Sequence, residues 1–452
     1  MDRPADLFDR EADWAALVAF ARQTGPGTRL ALVRGRRRQG KSFLLRRLAA
    51  AAGGFYYQAL EQERAQALDA FGAATGAYLG VPGGRLAFGG WDDAIGALVD
   101  VRRADGPALI VIDEFPYLLA QSPELPSVLQ RHIDRSRDSG PPVRLVICGS
   151  ALSVMANLLE GSQALRGRAG HDLLIGTFDY RTAARFWGIT DPKVAFHVHA
   201  VLGGTPGYRD LVPIKPPTRM ADFDRWLERG VLNPANALFR EDDYLLTEER
   251  PLTDRALYHA VLGAIAAGNT SQGAIAAAVG REGRAVQHPL RALQEAGFVV
   301  AQDDMLRQRR PIYRLADPII RFHHAVTRHD LARFEDRRFG EAWQDARPGF
   351  STHVLGPHFE HLAREFAFKF ASAATVGGTI ADVGAAVIND ARGKAQHELD
   401  VVATRRRPDG ATEIGAIGEA KHSASARTTG DLSRLERIRA LLIERGAATT
   451  RT

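Results

Sequence analysis

The sequence has little cysteine and no long apolar stretch. Cys148 is the only cysteine among 452 residues, which excludes an internal disulfide and a cysteine-based metal cluster. Because Cys148 falls in the apolar run of residues 144–149, we expect a small core side chain rather than a nucleophile. No segment approaches the roughly 20 consecutive apolar residues of a spanning helix, and residues 1–6 lack the apolar run of a signal peptide. The sequence therefore predicts a cytoplasmic location and no membrane role.

Lysine is scarce as well, since only six of the 59 basic residues are lysine. The net charge of +6 would ordinarily favour a nucleic-acid partner, because basic surfaces displace counterions from phosphates. So strong a preference for arginine is a compositional bias, which weakens the inference from net charge. A lysine that survives the bias is more informative, because a compact ammonium does what a guanidinium fork cannot. Lys41 and Lys421 are two such residues, and both fall inside motifs.

The length predicts several domains, because 452 residues exceed one ordinary core and the apolar fraction of 45% is typical of globular chains. The residue patterns change twice along the chain. We predict an α/β domain with a helical extension in residues 1–245, a second unit in residues 250–320 and a third in residues 345–452.

Strands and helices alternate in the first unit. Residues 28–34 predict an apolar strand, a glycine-rich turn follows, and residues 42–52 predict a helix with one apolar face. The continuous apolar runs 108–112 and 143–148 predict parallel strands that are covered on both faces. A parallel sheet is therefore expected.

The glycine-rich turn has the spacing Gly-x-x-x-x-Gly-Lys-Ser. Glycines at these positions let backbone N–H groups surround phosphate oxygens at a helix N-terminus. In such a loop Lys41 would reach the β- and γ-phosphates of ATP, and Ser42 would ligate Mg²⁺. The predicted nucleotide contacts are Gly35, Arg36, Arg37, Arg38, Gln39, Gly40, Lys41, Ser42 and Phe43.

Acidic and hydroxyl side chains follow the next two predicted strands. Asp113 comes after five apolar residues, so it should emerge at the carboxyl end of a strand and hold Mg²⁺ together with Ser42. Glu114 is placed to polarise the attacking water as a general base. Ser150 either senses the γ-phosphate or lies in an ordinary turn. Arg166 and Arg168 either supply an arginine finger or are two of the many surface arginines.

Three short predicted helices, 253–267, 271–279 and 284–296, and a predicted β-hairpin indicate a winged helix. Such a module either binds DNA or packs against neighbouring domains. If it binds DNA, the third helix would enter the major groove and the hairpin would contact phosphates. The candidate residues are Arg284, Gln287, His288 and Arg291 on the helix and Arg307, Arg309 and Arg310 on the hairpin.

The third unit carries an acid on one predicted strand and Glu-x-Lys on the next. Asp400, Glu419 and Lys421 should share one edge, because residues two apart lie on one face of a strand. Asp400 and Glu419 could hold Mg²⁺, and Lys421 could stabilise a scissile phosphate, with Glu360 on the preceding helix. The alternative is a solvated strand with salt bridges.

These motifs, in this order, resemble the archaeal-type ATPase family, a branch close to the AAA+ and STAND P-loop NTPases. The resemblance rests on the phosphate loop, Ile-Asp-Glu-Phe-Pro-Tyr (112–117), Cys-Gly-Ser (148–150), Leu-Arg-Gly-Arg (165–168) and Leu-Gly-Gly-Thr-Pro-Gly-Tyr (202–208). It implies that Gly203 to Pro206 lies near the nucleotide and couples its state to the following helices. The arginine triplet inside the loop departs from the family's pattern. The third unit resembles the PD-(D/E)xK nuclease fold.

The predicted function is ATP binding and Mg²⁺-dependent hydrolysis, with the nucleotide state controlling the winged helix and the nuclease-like unit, plausibly on DNA. The alternative is an ATP-gated, non-catalytic switch or scaffold with an inactive tail. Assembly into a homo-oligomer stays open.

Overall fold

The computed structural model describes residues 1–249, 254–390, 393–407, 410–423 and 425–447. The helices are α1 (Glu11–Ala21), α2 (Lys41–Ala52), α3 (Arg64–Tyr78), α4 (Trp91–Val99), α5 (Phe115–Gln121), α6 (Leu125–Ser136), α7 (Leu152–Asn157), α8 (Tyr180–Trp187), α9 (Pro192–Leu202), α10 (Phe223–Arg229), α11 (Glu241–Glu248), α12 (Arg255–Ala266), α13 (Gln272–Val279), α14 (Gln287–Glu295), α15 (Pro318–Ala325), α16 (Leu331–Glu335), α17 (Phe339–Gly349), α18 (Gly356–Phe370), α19 (Ala373–Val376) and α20 (Thr429–Glu444). The strands are β1 (Thr28–Arg34), β2 (Phe55–Gln58), β3 (Ala108–Asp113), β4 (Val143–Gly149), β5 (Ala169–Leu174), β6 (Val299–Asp304), β7 (Arg307–Leu315), β8 (Ile380–Asp390), β9 (Ala395–Arg406) and β10 (Thr412–Gly418).

The first unit contains a five-stranded parallel sheet in the order β2-β3-β4-β1-β5. Every residue of β3 and β4 is buried, which explains why these two strands are continuous apolar runs in the sequence. The predicted parallel α/β sheet is thereby confirmed. The edge strands β2 and β5 were not predicted, because β2 has four residues and β5 alternates between half-buried and exposed positions.

Helices cover both faces of this sheet. Because successive side chains of a strand point to opposite faces, Leu32 and Ile112 pack with α3, α4 and α6, whereas Val33 and Val111 pack with α1 and α2. In open α/β sheets, ligands bind at the carboxyl ends of the parallel strands, where the strands give way to loops.

A second core joins the helices after the sheet. It runs from Ile189 to Leu355 and includes side chains of helices α9 to α17. The helices on either side of residue 250 therefore share one core. Residues 250–253, where the second unit was expected to begin, lie outside the described residues, and the division into units stays a prediction.

The elements expected in residues 253–315 are present: α12, α13, α14 and the antiparallel hairpin of β6 and β7. The third helix starts later than predicted, because a 3₁₀ turn occupies Gly283–Val286 and the α-helix begins at Gln287. Pro289 thus sits in the first turn, where its missing N–H has no intrahelical partner to lose.

The third unit packs α18 and α20 with an antiparallel sheet in the order β10-β9-β8. The strands near residues 398–404 and 413–420 were predicted, and β8 was not. One prediction is wrong in detail, because β10 ends at Gly418 and Glu419 and Lys421 follow the strand. Beyond the end of β10, the N–H of Ala420 donates to the side chain of Asp400 on β9 (2.8 Å).

The hairpin and the third unit are joined by hydrogen bonds. The N–H of Met305 donates to the carbonyl of Ala385 (3.1 Å), and the N–H of Val387 donates to the buried carboxylate of Asp304 (2.9 Å). The hairpin therefore packs against the edge of β8. Among the described residues, no helix combines the length and apolarity needed to cross a bilayer.

Candidate nucleotide site

The loop between β1 and α2 needs glycine at two positions for different reasons. Gly40 adopts a left-handed conformation (φ +89°) directly before the first residue of α2. At Gly35, a Cβ atom would lie 2.3 Å from the carbonyl oxygen of Ile175, so only glycine allows this close approach to the end of β5. The loop is thereby held tight over the N-terminus of α2, where unpaired N–H groups favour an anion.

Lys41 is the first residue of α2 and is buried, with 4% of its surface exposed. Its Nζ donates to the carbonyl oxygen of Arg36 in the same loop (2.9 Å). The ammonium is thus held by a neutral acceptor. Such a group can exchange its carbonyl for a phosphate oxygen at little cost.

A cavity of about 700 Å³ opens beside this loop. Most of the predicted nucleotide contacts line it, and Gly35, Arg36 and Asp113 are not among its lining residues. The predicted residues that do line it are Arg37, Arg38, Gln39, Gly40, Lys41, Ser42, Phe43, Glu114, Ser150 and Pro206.

Asp113 ends β3 and is fully buried. Its two carboxylate oxygens accept hydrogen bonds from the hydroxyl of Tyr56 (2.7 Å) and from the N–H of Glu114 (2.9 Å). Burial, followed by the charge of Asp113, raises the pKa of Tyr56, so the phenol stays protonated and donates. The sequence did not reveal that Tyr56 belongs to this site, because it lies on the short edge strand β2.

Glu114 adopts a left-handed backbone conformation (φ +52°), which is uncommon for a residue with a side chain. Its Oε2 accepts hydrogen bonds from the Oγ (2.9 Å) and the N–H (3.3 Å) of Ser150. The neighbouring strands β3 and β4 therefore bring these two predicted residues together. Cys148, at the end of β4, is buried, and burial raises the pKa of its thiol well above the usual value, as expected for an inert core residue.

The side chains of the arginine triplet leave the loop and meet carboxylates from later elements. Arg36 pairs with Asp317 (2.6 Å) before α15 and lies over the ring of Phe298. Arg37 pairs with Glu248 and Arg38 with Glu241 (3.0 Å), both on α11. The side chains of the arginine triplet thus connect the phosphate loop to the helical region.

Glu241 is fully buried beside Arg38. Burial raises the pKa of this carboxyl to about 7, and the charge of Arg38 opposes the rise. An ionised Glu241 therefore depends on its arginine partner, because an unpaired buried charge is costly.

A cluster of aromatic rings that lines the cavity, here called the aromatic wall, was not predicted. The ring of Phe8 meets those of Phe178 (5.7 Å) and Phe186 (5.3 Å) edge to face. Arg10 lies over Phe178 and Arg209 over Phe186, and all five residues line the cavity. No sequence signal joins them, since they come from three separate segments.

Pro206 and Gly207 also approach the phosphate loop. The N–H of Gly207 donates to the carbonyl of Arg38 (2.9 Å), and a Cβ atom at Gly40 would lie 4.0 Å from Cγ of Pro206. Gly203 and Gly204 instead lie close to Pro318 and Phe178. Arg166 and Arg168 do not line the cavity. Arg166 donates to the carbonyl of Gly161, and Arg168 pairs with Asp134 (2.7 Å).

This strand order, with a phosphate-type loop after β1 and an acidic pair after β3, defines a P-loop ATPase domain. Residues 7–191, which contain the whole parallel sheet, match the profile of a family described as an ATPase domain predominantly from Archaea. Residues 7–191 are therefore similar to an ATPase domain, which supports nucleotide binding by this part of the chain.

Proteins similar to this chain have diverged far in sequence. The Methanocaldococcus jannaschii protein MJECL04 is 24% identical over 339 residues, which cover 74% of this chain and 72% of that protein. The Walker-type ATPase PABY2304 of Pyrococcus abyssi superposes with a TM-score of 0.56 at 20% identity, covering 71% of this chain and 97% of that one. The ORC2 protein of Aeropyrum pernix superposes with a TM-score of 0.42 at 15% identity, covering 75% of this chain and 96% of that one. At such identities the P. abyssi structure establishes a common fold.

The tail residues are held differently from those of the nucleotide site. Arg364 donates to the carbonyl of Asp400 (2.8 Å) and lies 3.7 Å from the carboxylate of Glu360. Glu419 is bound by cations on both oxygens, Lys421 at 2.6 Å and Arg434. Burial raises the pKa of both Glu360 and Asp400.

The tail carboxylates only partly converge. Glu360, Glu398 and Asp400 line one cavity of about 350 Å³ together with Arg314, and Glu419 is not among its lining residues. Three potential ligand atoms from Glu360, Asp400 and Glu419 do not come within 4.8 Å of one another, although all three residues are described.

The candidate DNA contacts are divided between solvent and the tail. Arg284, Gln287, His288 and Arg291 are all exposed on the third helix and the turn before it. Of the hairpin arginines, Arg309 and Arg310 are exposed, whereas Arg307 donates to the side chain of Asn389 on β8 (2.7 Å).

Proposed function

We propose that this protein hydrolyses ATP with Mg²⁺ and that the phosphate loop transmits the nucleotide state to the helical region and the tail. One observation carries the proposal: each arginine between Gly35 and Gly40 pairs with a carboxylate that follows the parallel sheet. A change in the number of bound phosphate groups would therefore act on α11 and α15 through these ion pairs.

The residues around the cavity fit MgATP. Lys41 would exchange the carbonyl of Arg36 for the β- and γ-phosphates. Ser42 and Asp113 would hold Mg²⁺, and the hydroxyl of Tyr56 and the N–H of Glu114 orient the two oxygens of Asp113. The metal would supply charge neutralisation at the phosphates. The aromatic wall around Phe178 offers faces on which a planar base could stack.

Hydrolysis would proceed by attack of a water oxygen on the γ-phosphorus, with the bond to the β,γ-bridging oxygen breaking to release ADP and phosphate. Glu114 would orient this water and accept its proton. Ser150 occupies Oε2 of Glu114, which leaves Oε1 to face the water. Ser150 is thus a positioning residue in this proposal.

Transmission would follow from competition for the arginines. Arg37 and Arg38 line the cavity and are paired with Glu248 and Glu241. Phosphate groups would draw the guanidinium groups away from these carboxylates, and a buried Glu241 without its partner is unfavourable. Helix α11 would respond by moving, or Glu241 by taking up a proton.

Glu114→Gln tests the hydrolytic part. We expect nucleotide binding to persist and phosphate release to fall by roughly 100-fold or more, because general-base catalysis is lost. Binding would be followed with a fluorescent ATP analogue, and the exposed Glu160→Gln serves as the control. Hydrolysis at the unmodified rate would contradict the role of Glu114.

The same variant tests transmission, because it holds ATP without consuming it. Hydrogen exchange of residues 241–248 should differ between the ATP-bound and nucleotide-free forms of Glu114→Gln. An exchange pattern that does not change when ATP binds would contradict the proposed coupling. The proposal that the protein hydrolyses ATP would not be affected.

A second candidate function is metal-dependent cleavage of DNA by the tail, with the winged helix as the DNA-binding module. The cavity shared by Glu360, Glu398 and Asp400 favours it. The cations on both oxygens of Glu419 favour the alternative, a switch with an inactive tail. Incubation of plasmid DNA with protein and Mn²⁺ separates the two. Cleavage lost in Asp400→Asn and Lys421→Ala, and kept in the exposed Glu436→Gln, supports the nuclease, whereas DNA retention without cleavage supports the switch.

A further inference from the structure

Three metal-binding side chains meet where α11, α12 and α15 pack together. Asp242, His259 and His324 come from these three helices, and one ligand atom of each lies within 4.8 Å of the other two. Asp242 and His324 are buried, with 2% and 4% of their surfaces exposed. None of the three takes part in the proposed ATP chemistry.

The spacing of the two histidines matches that of ligands on a single ion. Nδ1 of His259 lies 3.5 Å from Nε2 of His324. Two imidazoles bound to tetrahedral zinc at about 2.05 Å would have their nitrogens about 3.3 Å apart. Asp242 Oδ2 lies 4.0 Å from Nε2 of His324, so it would need to approach by roughly 0.6 Å.

A neighbouring carboxylate selects the tautomer that a metal requires. Oδ1 of Asp243 lies 3.0 Å from Nε2 of His259 and accepts a hydrogen bond from its N–H group. The lone pair of His259 is then on Nδ1, the nitrogen that faces His324. Histidines bound to metals typically donate their other N–H to a carboxylate in this way, which fixes the orientation of the ring.

We propose that Asp242, His259 and His324 bind one divalent transition-metal ion, of the type represented by Zn²⁺, with Asp243 orienting His259. Two imidazoles and one carboxylate form a donor set suited to zinc and its neighbours in the first transition row, and unsuited to Mg²⁺. The fourth position would be taken by water. The ion would tie α11, which pairs with the phosphate loop, to α12 and α15.

Arg328 is the competing cation. Its Nη1 lies 2.8 Å from Oδ2 of Asp242 and 3.0 Å from Oδ1 of Asp243. The guanidinium neutralises these carboxylates when no metal is bound, and it must release Asp242 when the ion enters. Removal of Arg328 should therefore strengthen metal binding.

The experiment uses full-length, tag-free protein that has been treated with a chelator and holds no nucleotide. Titration with Zn²⁺ by calorimetry should show one tight equivalent and a rise in Tm. Co²⁺ in place of Zn²⁺ should give the absorption bands of a tetrahedral nitrogen- and oxygen-bound ion. Asp243→Asn should lower the affinity by roughly 10- to 100-fold, and Arg328→Gln should raise it.

His259→Ala and His329→Ala form the decisive pair. His259 is partly exposed and should tolerate replacement, whereas His329 is an exposed histidine outside the cluster. Loss of the tight equivalent and of the Co²⁺ bands in His259→Ala alone supports the site. Equal affinities in the two variants, or an octahedral Co²⁺ spectrum in the unmodified protein, would overturn it.

Discussion

The nucleotide site and the tail site both place an acid at the end of a strand and a retained lysine nearby, but they balance charge in opposite ways. At the nucleotide site, Asp113 is held by a phenol and an N–H, and Lys41 by a carbonyl. In the tail, Glu419 is held by Lys421 and Arg434. The first site thus keeps its charges available for a charged ligand, whereas the second satisfies them internally.

Replacing each lysine would test this contrast with the largest expected effect. Lys41→Ala should weaken ATP binding by roughly 1,000-fold, about 4 kcal/mol, because a desolvated ammonium–phosphate contact is lost. Lys421→Ala should leave ATP binding unchanged and alter the free energy of unfolding by less than about 1 kcal/mol, because the side chain of Lys421 is 43% exposed and Arg434 still neutralises Glu419. Calorimetric titration with ATP and urea unfolding measure the two effects. Comparable losses of ATP affinity would remove the distinction between the sites.

Two adjacent arginines of the phosphate loop allow a comparison between a buried and a half-exposed ion pair, with a smaller expected effect. Arg36→Ala should destabilise the protein by about 3 kcal/mol, because it leaves the carboxylate of Asp317 buried without its cation. The side chain of Arg37 is half exposed, and Arg37→Ala should cost less than about 1 kcal/mol. Urea unfolding of both variants provides the measurement. Equal destabilisation would show that burial does not govern these pairs.

The sequence predicted the centre of the sheet better than its edges, for a physical reason. The central residues of β1, β3 and β4 are buried on both faces, and residues 30–33, 108–112 and 145–148 are accordingly continuous apolar runs. The tail strand β8 was missed because it contains Gly384, Ala385 and Ala386, residues with weak strand preference. Its stability comes from its pairing with β9 and from the hairpin packed beside it.

The candidate site was predictable to the extent that it is local in sequence. Gly35 to Ser42 and the Asp113–Glu114 pair are read from spacing, because one loop and one strand end place them. The partners of Arg36 and Arg38 lie 281 and about 200 residues away, and only the fold brings them together. The pairing of the triplet with carboxylates of later elements was therefore not predictable from the sequence.

The smallest expected effect concerns the pH dependence of the tail. Burial raises the pKa of Asp400 in the folded protein above its ordinary value of 3.8. Between these two pKa values the folded state binds more protons than the unfolded state, so stability falls as the pH rises through this window. Asp400→Asn removes the titration and keeps an oxygen to accept the N–H of Ala420. The variant should gain stability relative to the unmodified protein when the pH rises from 4 to 7, as measured by urea unfolding at both values. A stability difference between Asp400→Asn and the unmodified protein that is the same at pH 4 and pH 7 would contradict this prediction.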